Sequence, residues 1–257
     1  MKAISPAWAA RWRERETGSV PDVEYLVLSP HFDDAVLSCG SWLERHRGAV
    51  VATVCSGQPG EGVPAHRWDA KSGFPFADAA AIRRRAEDAA ALAMLGANQE
   101  LLGFLDGEYK ERVGHCHESA SVSGPFEQAV ATAIGDLIGT LKPRVIVGPM
   151  GLFHRDHIAT AQAVWSVIRG RPDGRALGYV DLPYGITNRA WLQQALARLP
   201  GSGLRSDDYP LSSAPTAGKE GAVRCYRTQL EQLTLEHPRW EESLRPGVER
   251  FFEISRS

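Results

Sequence analysis

The stretch EYLVLSPHFDD, Glu24–Asp34, decides the architecture. Its apolar run, Glu24–Leu28, predicts a short buried strand that ends at Ser29-Pro30. His31, Asp33 and Asp34 follow at once, before Ala35–Arg47 takes up helical spacing at Val36, Leu37 and Leu43. The same order of strand, His/Asp group and helix recurs mid-chain. Arg144–Gly148 (RVIVG) runs into PMGLFHRDH, which places His154, Asp156 and His157 at the start of a helix over Asp156–Arg169.

Between and beyond these anchors, Ala49–Val54, Glu100–Leu105 and Ala176–Asp181 read as strands. Asp78–Leu95, Phe126–Leu141, Asn188–Leu199 and Gly218–Leu235 read as helices, and Gly96 stops the first of them. Strands alternating with helices predict an α/β fold with a mainly parallel sheet, whose ligands gather at the carboxyl ends of the strands. No repeat or low-complexity linker divides the chain. The expectation is one domain over residues 1–257, with a core at about 24–182 and a less regular C-terminal part at about 183–257. Ser56–Ala77, rich in Gly and Pro, reads as a loop, and loops of that length inside a domain are more often functional than idle.

Composition excludes several classes. With 29 basic and 31 acidic residues the net charge is −2, which gives no electrostatic reason to expect a nucleic acid partner. The four cysteines, Cys39, Cys55, Cys116 and Cys225, are too far apart for a redox dithiol or a zinc ribbon. Scattered cysteines and an N-terminus without an apolar signal core lead us to expect a cytoplasmic protein. No stretch approaches ~18 apolar residues, so no membrane span is expected.

The two strand ends together offer three His and three Asp. Imidazole nitrogen and carboxylate oxygen are ligands for a catalytic zinc, which takes three protein ligands and keeps one position for water. The remaining carboxylate and His would be left for proton work. The structural alternative is that Asp33 and Asp34 cap the following helix and that the histidines are satisfied loop residues.

PHFDD paired with HRDH resembles the LmbE-like, or PIG-L, de-N-acetylases. RRAEDAAALAMLG adds to the resemblance at Arg84, Glu87, Ala91, Leu95 and Gly96. The likeness extends over roughly residues 24–182, and more loosely over Lys219–Leu230. It implies a Rossmann-like three-layer sandwich and a zinc-dependent hydrolase that removes acetyl groups from N-acetylated amino sugars or glycosylated small molecules by attack of zinc-bound water. By position, His31, Asp34 and His157 would be the zinc ligands. Asp33 would be the general base, His154 would stabilise the oxyanion, and Asp156 would orient a histidine. Arg84 and Asp106 would contact substrate. The chain departs from the family pattern at Phe32, at Ala35, where the family has Glu, and at Leu152, where some relatives have Tyr; Tyr184 is the candidate substitute. Trp68 in the long loop either stacks on a sugar or anchors the loop.

Iron(II) or another divalent metal would suit the same donors, and a homo-oligomer is compatible with the chain. The alternatives are an amidase of the same family acting on a larger acyl or thiol-conjugate amide, and a non-catalytic, metal-stabilised binding protein. A nucleotide-binding enzyme lacks its glycine fingerprint here. His115-Cys116-His117 is a second ligand-like group without a nearby third ligand.

Overall fold

The computed structural model describes residues 23–110, 124–171, 174–201, 203–210 and 217–256. In chain order these form β1 (Tyr25–Ser29), α1 (Asp34–Arg45), β2 (Val50–Thr53), α2 (Arg67–Lys71), α3 (Ala77–Leu95), β3 (Asn98–Leu101), α4 (Gly107–Lys110), α5 (Pro125–Leu141) and β4 (Val145–Pro149). There follow α6 (Arg155–Arg169), β5 (Arg175–Tyr179), α7 (Tyr184–Thr187), α8 (Arg189–Gly201), β6 (Leu204–Tyr209), α9 (Ala217–Val223), α10 (Arg227–Glu236), a 3-10 turn at Trp240–Leu244 and β7 (Phe251–Arg256).

The strands form one seven-stranded sheet in the order β3-β2-β1-β4-β5-β7-β6. The first five are parallel, while β7 runs antiparallel to both β5 and β6. Alternation along β1 explains the three layers. Leu26 and Leu28 point into a core with Ile134 and Leu137 of α5, Val164 and Trp165 of α6 and Leu192 of α8. Val27 points the other way, toward Val36 and Leu37 of α1, Leu92 and Leu95 of α3 and Val223 of α9.

The structure corrects several sequence expectations. β3 starts at Asn98, because Gly96 ends α3 in the left-handed conformation (φ 69°) and the chain turns straight into the edge, and it ends at Leu101. The residues beyond Leu101 carry Asp106 toward the strand ends instead. The Ser56–Ala77 loop contains α2. The segment Gly218–Leu235 is two helices, interrupted where the buried Tyr226 turns its hydroxyl to the Phe32 carbonyl oxygen (3.0 Å) and an Asp88 oxygen (2.7 Å). The C-terminal part contributes β6 and β7 to the sheet. No helix among the described residues is long and apolar enough to cross a membrane.

Candidate active site

The turn after β1 is tied by Ser29. Its hydroxyl donates to the His31 carbonyl oxygen (2.6 Å) and accepts from the Ala35 amide (3.1 Å), so the chain enters α1 directly. Asp34 Oδ2 accepts the His31 backbone N–H (2.8 Å) and lies 3.2 Å from His31 Nδ1. The helix-capping alternative fails here. Asp33 occupies the N-cap of α1, yet its side chain makes no cap bond. Ala35 is fully buried among apolar side chains.

The turn after β4 needs Gly151. Its φ is +79°, and a Cβ there would come within 2.6 Å of the Ala161 Cβ. His154 is the N-cap of α6, its Nδ1 accepting the Asp156 amide (3.2 Å). A neutral ring that accepts at Nδ1 carries its proton on Nε2, so His154 presents a donor.

The two turns meet. Ligand atoms of His31, His154 and His157 all lie within 4.8 Å of one another. Asp34 Oδ2 is 3.1 Å from His157 Nε2. Asp156 Oδ2 is 3.1 Å from His31 Nε2 and accepts the Gly107 amide (2.8 Å), and Asp156 Oδ1 is 2.7 Å from Lys110 Nζ. Asp181, just beyond β5 and fully buried, holds His157 Nδ1 at 2.6 Å and accepts the Gly151 amide at 2.9 Å.

A divalent cation fits this donor set. His157 Nε2 is wholly buried and forms no hydrogen bond, although the Asp34 oxygen is 3.1 Å away. Two lone-pair donors at that spacing, each supported from behind by other partners, are arranged as ligands. The local field agrees. Burial alone would depress His31, but Asp156 and Asp34 outweigh it and raise it well above 6.5. Burial likewise opposes protonation of His157, yet Asp34 and Asp181 raise it to about 9. The site favours positive charge. Burial and the neighbouring Asp34 charge push Asp33 up to about 6. Burial, His31 and His157 push His154 down to about 4.

Beside these groups lies a cavity lined by His31, Asp33, Asp69, Arg84, Asp106 and Gln229, among others. Arg84 reaches it from α3, held by an ion pair with Asp69 of α2. Asp106 Oδ2 lies 3.8 Å from His31 Nε2 and 3.9 Å from Arg84 Nη1, and its Oδ1 caps α4 at Glu108 (2.9 Å). Trp68 donates through Nε1 to Gln229 (2.9 Å) and packs its ring against the second core, which ties α2 to α10. Tyr184 sits with its ring centroid 5.1 Å from that of His157.

Sequence reasoning missed Asp181, Asp69 and Lys110. Asp181 stood at the carboxyl end of a predicted strand, which was a usable signal. Asp69 and Lys110 lie in short helices that no periodicity marks. The His115-Cys116-His117 group lies outside the described residues.

The sequence profile of PIG-L, described as GlcNAc-PI de-N-acetylase, matches residues 26–168. The chain belongs to the PIG-L family. The matched segment runs from β1 through α6, so it contains both His/Asp turns, Arg84 and Asp106, and stops short of Asp181 and Tyr184. Among solved structures, this PIG-L chain is similar to the zinc-inhibited form of a teicoplanin deacetylase, at 25% identity over 91% of this chain and 99% of that one, with a TM-score of 0.72. It is also similar to the A40926 pseudoaglycone deacetylase, at 28% identity over 91% and 98% of the two chains, with a TM-score of 0.71. No curated protein matches the chain.

Proposed function

We propose that this PIG-L chain is a metal-dependent hydrolase that removes the acetyl group from an N-acetylated amino sugar carried on a small molecule. The observation that carries this reading is that Asp33, a carboxylate without a cap bond, and His154, a histidine with a donor nitrogen, stand beside His31 and His157, whose ring nitrogens lie 3.2 and 3.1 Å from one Asp34 oxygen. A non-catalytic binding protein would need the ligands but neither flanking group. Family membership and the two deacetylase neighbours support the same reading.

His31, Asp34 and His157 would hold zinc or iron(II), with Asp156 and Asp181 fixing the two imidazoles from behind. A divalent metal bound there supplies a Lewis acid that acidifies water and polarises an amide carbonyl. Asp33 takes the proton from the attacking water. His154 Nε2–H donates to the carbonyl oxygen as negative charge develops on it. The amide C–N bond then breaks, the nitrogen regains a proton from Asp33, and acetate and the free amine leave. Arg84 and Asp106 orient the sugar through its hydroxyls. We take the compartment to be the cytoplasm, on the scattered cysteines.

Acetate release from N-acetylglucosamine derivatives tests the reading. Metal-depleted protein is reloaded with one equivalent of zinc or iron(II). Release that depends on the metal and disappears in Asp33→Ala is expected. A broad panel of such sugars that yields no acetate, while longer N-acyl amides are cleaved, would replace deacetylation by the amidase alternative.

A further inference from the structure

The Tyr226 hydroxyl stands between two acceptors and has one proton to give. It lies 3.0 Å from the Phe32 carbonyl oxygen and 2.7 Å from Asp88 Oδ1. A peptide carbonyl can only accept, so the bond to Phe32 uses the tyrosine's own proton. The bond on the other side then needs a proton from Asp88, as a neutral carboxyl that donates to the tyrosine oxygen. The second Asp88 oxygen fits that form, because it accepts from the Gln99 side-chain amide at 2.7 Å. Asp88 is 0% and Tyr226 1% exposed, so the proton count has to close within these groups.

The surroundings of Asp88 favour the neutral form. Burial is the main cause that raises its carboxyl to about 7, and the Asp33 charge adds to it. Of the elements packed against α3, β3 offers the neutral Gln99 amide, the junction of α9 and α10 offers the Tyr226 hydroxyl, and the turn into α1 offers the Asp33 carboxyl. On α3 itself, Arg84 is paired with Asp69, and Glu87 accepts from Arg83 and Thr228. No cation acts on Asp88 among the described residues.

The other end of the bridge is the peptide that leads into Asp33. The Phe32 carbonyl and the Asp33 nitrogen belong to one planar unit, so the tyrosine bond fixes the plane from which the Asp33 side chain departs. Asp33 has no cap bond of its own to hold it. Without the Asp88 proton, one tyrosine proton faces two acceptors, and the carboxylate is the stronger of them. The Phe32 carbonyl then loses this donor.

We propose that Asp88 and Tyr226 are positioning residues for Asp33: a proton kept on Asp88 lets Tyr226 hold the Phe32–Asp33 peptide, and its release frees that peptide. The inference rests on the reading of Asp33 as the general base given above. Ionisation of Asp88 removes the support, so turnover falls as pH rises through its titration.

The test follows two quantities from pH 5.5 to 9 in the zinc-loaded full chain: kcat for acetate release from an N-acetyl-β-glucosaminide, and the Phe32 carbonyl carbon shift by NMR. In the parent protein the shift should move and kcat should fall about 3-fold or more, with a common midpoint near 7. Asp88→Asn keeps a donor toward Tyr226 at every pH, so both changes should vanish. Tyr226→Phe should lower kcat about 10-fold at pH 6, with KM and zinc content near those of the parent. Asp88→Asn decides alone where Tyr226→Phe does not fold. A merely structural pair would lower the melting temperature and leave the pH dependence of kcat as in the parent, which overturns the proposal. So does a midpoint near 7 that survives Asp88→Asn in either readout, or a Phe32 shift that does not titrate. Absence of acetate release from the parent removes the deacetylase reading; the carbonyl shift, which needs no turnover, then decides the proton arrangement by itself.

Discussion

Asp181 holds His157 from behind: its Oδ1 lies 2.6 Å from His157 Nδ1, and both side chains are fully buried. The carboxylate accepts from the imidazole with one oxygen and from the Gly151 amide with the other, which fixes both the ring and the turn that carries it. An amide in its place can accept only one of these bonds. Asp181→Asn should therefore weaken metal binding by about 10-fold or more, as read by competition with a chelator.

Asp33→Ala should lower turnover by at least about 100-fold while metal content stays near that of the parent protein. The side chain makes no cap bond in α1, so stability should change little. Metal analysis and a denaturation curve on the same sample separate loss of the base from loss of the site. Full activity in this variant ends the base assignment.

Arg84 depends on Asp69 for its direction into the cavity. The other Asp69 oxygen accepts from Tyr109, and the residue is 2% exposed. Asp69→Asn should raise KM for an amino-sugar substrate by about 10-fold with kcat less affected, the pattern of lost uniform binding. Combined with Arg84→Gln it should add little, because both substitutions remove one interaction. Additive effects would show that Asp69 acts elsewhere.

Asp88, a buried carboxyl on α3, gives a pH prediction. Burial, with a smaller push from the Asp33 charge, raises its carboxyl from 3.8 to about 7, despite bonds from Gln99 and Tyr226. Between those values the unfolded chain has released the proton that the folded chain keeps, so the unfolded state binds fewer protons. Stability from this group is therefore greatest below about pH 4, falls as pH rises toward 7, and levels off above that. The slope can reach about 1.4 kcal/mol per pH unit. Asp88→Asn should flatten this part of the profile. Its carbonyl can accept from Gln99 and its amide can donate to the Tyr226 hydroxyl. Urea denaturation at pH 5 and pH 8 checks the difference.

The two turns that meet at the candidate site were legible because each is local. SPHFDD and HRDH lie within a few residues of a strand end, and the apolar runs beside them have one reading. What escaped was non-local or weakly patterned. The partnership of His157 and Asp181 bridges 24 residues, and nothing in either segment announces the other. β6, LRSDDY, is a polar edge strand, and β7, FFEISR, breaks its apolar residues with Glu253 and Ser255, so neither makes a clear apolar run. Tyr226 breaks a helix that propensity would continue, because its hydroxyl has partners on α3 and on the turn after β1.

β7 sits between β5 and β6 in the sheet yet follows both in the chain. As the polypeptide is made from its N-terminus, β5 must wait with one edge bare, and β6 has no neighbour to join until β7 emerges. The strand that leads to Asp181 therefore stays open to pairing with other chains until β7 has emerged to cover it.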